Sequence, residues 1–134
     1  MKAALFLATL AAALASADPV LHKRAGCYTG GEAFGGDTQV TDQQFIRQAC
    51  EAGAGRLSGE YGAGEDKIQF FNTESGRCVV LAIRKLANGI GNMSKDRCEE
   101  ALRQGLRDCP SFGGIGTDGN WDFRVDINAG ICPS

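Results

Sequence analysis

The sequence predicts a small disulfide-bonded α/β protein, in which two helices pack on a sheet of four or five strands. Two segments carry apolar residues at helical spacing between helix start and stop signals, whereas four others are rich in strand-forming residues. The links between these segments are mostly short, which favours a sandwich of helices and sheet within a single domain. Six cysteines in a chain of 134 residues supply the expected cross-links.

The first helix is predicted over residues 41–52. Thr41 and Gln44 have the spacing of a capping box, a hydroxyl followed three residues later by a Gln. Gly53 then ends the helix. Between these two signals the apolar residues recur at helical spacing, namely Phe45, Ala49, Cys50 and Ala52.

The second helix is predicted between Ser94, its expected N-cap, and Pro110, which closes it. Acidic residues near the start and basic residues near the end suit the helix dipole: Asp96, Glu99 and Glu100, then Arg103 and Arg107. The apolar stripe follows the helical repeat, so it should face the core; it consists of Cys98, Leu102, Leu106 and Cys109.

The strands are predicted between and after these helices. Residues 67–71 are β-rich, and residues 72–76 have the composition of a hairpin turn. Residues 78–83 are apolar at every position, so both faces of this strand should be buried, by helices or by a partner chain. Residues 56–61 and 120–125 are weaker strand candidates.

The first 24 residues have the features of a leader that is removed during secretion. A basic start and an apolar run precede Ala17, where signal peptidase is expected to cut, so residues 1–17 are interpreted as a signal peptide. Residues 18–24 are interpreted as a pro-peptide that ends in the kexin-type pair Lys23-Arg24. The mature product is then a single secreted, extracellular domain, residues 25–134, of a type expected in fungi.

Removal of the leader changes the chemistry that is left. It takes away the chain's one histidine, three basic residues and one acidic residue, so the formal charge falls from −2 to −4. A mildly acidic surface disfavours nucleic-acid binding, and no remaining apolar run is long enough for membrane insertion. Without histidine, catalytic triads and histidine metal sites are excluded, so we expect no metal and no cofactor.

All six cysteines lie after the leader, and an even number in a small secreted chain predicts three disulfides. They are Cys27, Cys50, Cys78, Cys98, Cys109 and Cys132. A pair between Cys98 and Cys109 is excluded, because eleven residues of helix separate them by roughly 16 Å. The other pairings stay open at this stage.

A cluster of aromatic and polar residues near the C-terminus is typical of sugar recognition. Aromatic rings pack on the apolar face of a sugar, while amide and charged side chains bind its hydroxyls. The candidate glycan-binding residues are Trp121, Asn120, Asp122, Arg124 and Tyr28. The alternative is a core position for Trp121, because strand alternation places it on one face with Phe123 and Val125.

Asn92-Met93-Ser94 is a sequon for N-glycosylation. Ser94 is also the expected helix cap, so the sequon and the cap share one residue. Whether Asn92 carries a glycan stays open.

The chain resembles the fungal glycan-binding protein Y-three-like family. The shared features are Cys-Tyr-x-Gly-Gly at 27–31, the order of the cysteines and Trp-x-Phe-(x)2-Asp-x-Asn-x-Gly-x-Cys at 121–132. At 126–128 this chain has Asp-Ile-Asn where the family pattern has Asp-Pro-Asn. The resemblance implies an α/β/α sandwich, glycan binding without catalysis, and a homodimer that pairs through the sheet.

Three functions are therefore compared. The leading hypothesis is a secreted, non-catalytic, lectin-like protein whose partners are cell-surface or cell-wall glycans. The first alternative is a secreted effector or killer-type toxin with a protein target, because the leader and the cysteines fit it equally well. The lesser alternative is a small hydrolase that uses two carboxylates, since 15 acidic residues remain after residue 24.

Overall fold

The computed structural model describes residues 26–30, 32–33, 43–86 and 88–133. The predicted signal peptide and pro-peptide, with their cleavage residues Ala17, Lys23 and Arg24, lie outside the described residues. The same is true of Thr41 in the predicted capping box.

Two helices and seven strands are present in the described part of the chain. The helices are α1 (Gln44–Ala49) and α2 (Lys95–Asp108). The strands are β1 (Gly26–Cys27), β2 (Gly59–Tyr61), β3 (Asp66–Asn72), β4 (Cys78–Lys85), β5 (Gly91–Met93), β6 (Gly113–Asp118) and β7 (Trp121–Asn128). Five of them form an antiparallel sheet in the order β1-β6-β7-β4-β3, while β2 and β5 form a separate antiparallel ribbon.

The two faces of the five-stranded sheet differ because side chains alternate along each strand. On β7, one set of alternate residues is buried in the core: Trp121, Phe123, Val125 and Ile127. The other set, Asp122, Arg124 and Asp126, lies half-buried on the opposite face, which we call the outer face. Residues 78–83 of β4 are all buried, so the prediction that both faces of this strand are covered is confirmed.

Helix α2 packs on the core face of β7 and β6, as its apolar stripe predicts. The Ser94 hydroxyl accepts a hydrogen bond from the Arg97 amide at 3.2 Å, which confirms the predicted N-cap. Cys98 and Leu102 are fully buried. Gly105 brings the helix close to the sheet, because a methyl group there would lie 3.2 Å from Cγ2 of Val125.

Helix α1 is shorter than predicted. Its N-cap is Gln43, which has a left-handed backbone (φ 62°) and makes no side-chain cap bond, and the helix ends at Ala49. Phe45 and Phe71 stack with ring centroids 4.7 Å apart, so the helix lies against the core-facing side of β3. The predicted repeat extends to Ala52, but Ala52 is exposed beyond the helix end.

The predicted combination of helices with a sheet is confirmed, whereas the described helices do not form the two outer layers of the predicted α/β/α sandwich. Both helices and the β2–β5 ribbon join one hydrophobic core on one face of an antiparallel sheet. The described residues form one sheet of five strands, within the predicted four or five, and the separate β2–β5 ribbon. Helices on one face of an antiparallel sheet are typical of an α+β arrangement.

Three disulfides link the described elements, which confirms that prediction. They join Cys27 to Cys109, Cys50 to Cys98, and Cys78 to Cys132. Cys98 and Cys109 are not paired with each other, as the helix geometry requires. No helix in the described part of the chain combines the length and apolarity that crossing a bilayer requires.

Candidate functional site

Trp121 belongs to the hydrophobic core. Its side chain is 7% exposed, and its ring meets Tyr61 edge-on with centroids 5.0 Å apart. The Lys85 ammonium lies 5.5 Å from the ring centroid, on the core-facing side of β4. This position agrees with the alternative core interpretation of Trp121 and separates the ring from the other candidate residues by the thickness of the sheet.

Asn120 and Asp122 lie at the end of the sheet formed by the β6–β7 turn. Asn120 is exposed, and its carbonyl accepts a hydrogen bond from the Leu86 amide at 2.7 Å. The Asp122 carboxylate accepts a hydrogen bond from the Thr117 hydroxyl at 2.7 Å. Both residues therefore take part in local structure at this end of the sheet.

Tyr28 lies on the outer face together with Arg124 and Asp126. The Tyr28 amide donates to the Gly113 carbonyl at 2.9 Å, directly after Cys27 pairs with Gly114. Gly113 in turn pairs with Asp126 on β7, so Tyr28 and Asp126 point to the same side of the sheet. Asp122 also points to this side, but it lies four residues from Asp126, roughly 13 Å along the strand.

The phenol of Tyr28 responds to these neighbours. Burial raises the pKa of the Tyr28 phenol above its usual value, and the Asp126 carboxylate raises the pKa further. The Arg124 guanidinium acts in the opposite direction and lowers that pKa. Tyr28 therefore keeps its proton at neutral pH and can donate a hydrogen bond.

An open groove of about 760 Å³ lies beside Tyr28; we call it the Tyr28 groove. It lies where the residues that follow β1 pass the C-terminal end of β7. Its lining residues are Tyr28, Thr29, Gly30, Glu32, Asp126, Ile127, Asn128 and Ala129.

Three polar residues of this groove, Glu32, Asp126 and Asn128, are absent from the candidate set predicted from sequence. Asp126 and Asn128 have the composition of a turn that folds the C-terminus, yet both lie within β7, where the Asn128 amide is 3.5 Å from the Asp126 carboxylate. Strand alternation was the signal that could have found Asp126, because it shares a face with Arg124. For Glu32, which is 3.6 Å from Arg77, the sequence carries no such signal.

The chemistry of the groove suits a ligand rich in hydroxyl groups. A half-buried aromatic ring lies on one side, and carboxylate and amide groups lie on the other. In the described residues, no three side chains of His, Cys, Asp or Glu are arranged to hold a metal ion.

The comparison with protein families agrees with this arrangement. The model of the family described as "Glycan binding domain Y3" matches residues 41–132, more than half of the chain. The chain belongs to this family. No curated protein matches the sequence.

The Y3 match includes both helices and the strands β2 to β7. Asp126 and Asn128 lie within it, whereas Tyr28 and Glu32 precede it. The Tyr28 groove is thus built where the matched domain meets the segment just before it, and the Cys27–Cys109 disulfide joins the two.

Proposed function

We propose that this Y3 domain is a secreted, non-catalytic glycan-binding protein and that it binds a neutral sugar in the Tyr28 groove. Family membership supports carbohydrate binding as the general function. The observation that carries the location is the row formed by Tyr28, Gly113 and Asp126, because it sets an aromatic ring opposite a hydrogen-bonding carboxylate across an open gap.

In the proposed complex, the apolar face of a pyranose packs on the Tyr28 ring. Its hydroxyls donate to the Asp126 carboxylate, and the Asn128 amide can both donate and accept. Both charged side chains that line the groove, Glu32 and Asp126, are acidic. Glu32 is paired with Arg77 at 3.6 Å, but the Asp126 carboxylate would repel the charge of a sialylated or sulfated sugar, so a neutral sugar is favoured.

Secretion is proposed from the leader sequence and is supported by the cysteine chemistry. All six cysteines are paired in three disulfides, which persist in oxidising compartments and are rare in the cytosol. The fungal type rests on the same leader and on the sequence resemblance.

The absence of catalysis is proposed because the mature chain has no histidine and no free cysteine.

One observation favours a second candidate function: Glu32 and Asp126 line the same groove, as the carboxylate pair of a glycosidase would. Incubating the protein with a bound oligosaccharide separates the two. We expect no release of reducing ends, whereas a release that both Glu32→Gln and Asp126→Asn abolish would establish the hydrolase.

Glycan binding is tested with the refolded domain on a glycan array. We expect binding to neutral glycans, a loss of at least tenfold in Tyr28→Ala, and partial retention in Tyr28→Phe, which keeps the ring. Asn128→Ala should also weaken binding, and Asn88→Ala, an exposed amide in the β4–β5 turn, is its matched control. An array without signal contradicts the proposal, and a protein partner whose binding survives deglycosylation would favour the effector alternative.

Pairing of two copies is proposed separately, because the sequence resemblance implies it. Ile68 and Phe70 of β3 are 37% and 48% exposed on the outer face, and they continue the buried apolar surface of Val80 and Ala82. Light scattering at several concentrations tests this pairing. A dimer that Phe70→Ser converts to a monomer supports it, and a native protein that stays monomeric excludes it.

A further inference from the structure

A second groove lies on the core side of the sheet, between helix α2 and strand β6. Two residues of β6 face the helix before Asp118. Gly114 is packed tightly against the Gly26 carbonyl and the Cys109 sulfur, whereas Gly116, opposite Phe123 of β7, adds no side chain to the groove. The volume of this α2–β6 groove is about 560 Å³, within the range of about 300–1,000 Å³ that is typical of ligand sites.

The groove is long, and the residues at its two ends are held by an ion pair and by a disulfide. Its wall is one face of α2, from Arg97 to Asp108, a rise of roughly 16 Å along the helix axis. At one end Arg97 forms an ion pair with Asp118 at 3.3 Å. At the other end lies Cys109, which the disulfide with Cys27 holds in place.

The floor and the rim differ in polarity. Phe123 and Val125 of the core lie beneath the groove and form its floor, and Ala101 belongs to its wall. On the rim, the Gln104 amide donates to the Asp108 carboxylate at 2.9 Å and accepts from Arg107 at 2.8 Å. Four charged side chains line the groove, and three of them are carboxylates: Glu100, Asp108 and Asp118. Glu100 and Asp118 are paired with Arg107 at 2.8 Å and Arg97 at 3.3 Å, so the charge of the rim is largely balanced. Such a rim offers fixed polar groups to the hydroxyls of an uncharged ligand, while the floor suits the C–H faces of sugar rings.

We propose that the α2–β6 groove is a second saccharide site, which binds an elongated neutral oligosaccharide and makes a single chain bivalent. The ligand class rests on the proposed function, but the residues are independent of the Tyr28 groove, on the other face of the sheet. Two sites on opposite faces allow one domain to link two glycans, and multivalent surfaces are then bound more tightly than single glycans.

The test fills this groove and leaves the other one intact. Ala101 is half-buried in the groove wall, so Ala101→Trp occupies its volume, and Ala54→Trp at an exposed loop position is the matched control. Gln104→Ala is a second, milder variant at an exposed helix position. Each variant and Tyr28→Ala are compared on an array of neutral oligosaccharides and their sialylated and sulfated counterparts. Calorimetry then measures stoichiometry with the neutral oligosaccharide that gives the strongest signal.

We expect two equivalents bound per native chain, one in Ala101→Trp, one in Tyr28→Ala and none in the double variant. Gln104→Ala should weaken one of the two sites at least fivefold, and anionic counterparts should bind less well. The proposal of a second site is overturned if Ala101→Trp and Gln104→Ala bind as Ala54→Trp does. It is also overturned if Tyr28→Ala alone removes all binding, and that result leaves the proposed function in the Tyr28 groove intact. Loss of all binding in Ala101→Trp alone would instead place the sugar here and refute the Tyr28 site.

Discussion

The Cys50–Cys98 disulfide should contribute more to stability than any single contact between the two helices. It joins the residue that caps α1 to the first turn of α2, and both sulfur-bearing residues are fully buried. We propose the double variant Cys50→Ala/Cys98→Ala as the perturbation. This change opens the cross-link without introducing a buried polar group.

The magnitude follows from the closed loop, which spans 48 residues. Loop-closure entropy for this length corresponds to about 4 kcal/mol at 25 °C, and the lost packing of each buried sulfur adds about 0.5–1.5 kcal/mol. The free energy of unfolding should therefore fall by about 5–7 kcal/mol, against about 5–15 kcal/mol for a typical domain. For a domain of this size, the melting temperature should drop by roughly 20 °C or more.

The assay is urea denaturation under non-reducing conditions, followed by the change in Trp121 fluorescence. Cys78→Ala/Cys132→Ala is the matched control, because its loop of 54 residues has nearly the same entropy, while Cys132 is only half-buried. The difference between the two double variants then reports the packing contribution at Cys50 and Cys98. A Cys50/Cys98 variant that loses less than about 1 kcal/mol would refute this reasoning about loop closure and burial.

Three further predictions concern single features of the fold and of the site. Gly114→Ala should destabilise the domain by about 1–3 kcal/mol in urea denaturation, because its Cβ would lie 2.5 Å from the Gly26 carbonyl oxygen and 2.9 Å from the Cys109 sulfur. The control is Gly62→Ala, whose Cβ meets nothing closer than 3.9 Å and which should leave stability nearly unchanged. Burial raises the pKa of the Tyr61 phenol above its usual value, so the folded state keeps this proton at a pH where the unfolded state loses it. The free energy of unfolding should therefore fall above about pH 10, and it should fall less steeply in Tyr61→Phe. An equal fall in the native protein and in Tyr61→Phe would contradict this role of Tyr61. Cys27→Ser/Cys109→Ser should weaken glycan binding in calorimetry at least fivefold while the domain stays folded, because the two-residue strand β1 and the disulfide hold Tyr28 in place. Unchanged affinity would show that the disulfide does not position Tyr28.

The elements with strong local signals could be predicted from the sequence. Helix α2 has a serine cap, a dipole-matched charge order and a continuous apolar stripe, and its predicted bounds agree with the observed ones within a residue. Residues 78–83 of strand β4 are all apolar, which agrees with the central position of this strand between β7 and β3. In both cases the local sequence and the tertiary environment favour the same structure.

The layering and the site depend on pairings that local signals do not contain. Helix α1 has six residues, and its side of the sheet is determined by the Phe45–Phe71 stack and the Cys50–Cys98 bond. Tyr28 reaches Asp126 only through the β1–β6–β7 register, which joins residues about 100 positions apart in the chain. The alternating aromatic and polar residues around Trp121 correctly indicate a strand, but the Trp121 side chain lies on the core face of that strand.

Strand β6 explains why the α2–β6 groove escaped prediction from sequence. Its sequence, Gly-Gly-Ile-Gly-Thr-Asp, has low strand propensity because glycine lacks the side chain that packs on a pleated surface. Yet Gly116, which faces the groove opposite Phe123, adds no side chain to fill it. The feature that weakens the strand signal thus also leaves space under α2. Gly116→Val, which would project into the α2–β6 groove, should therefore reduce binding there and leave the Tyr28 groove unchanged, with the stoichiometry in calorimetry as the measurement.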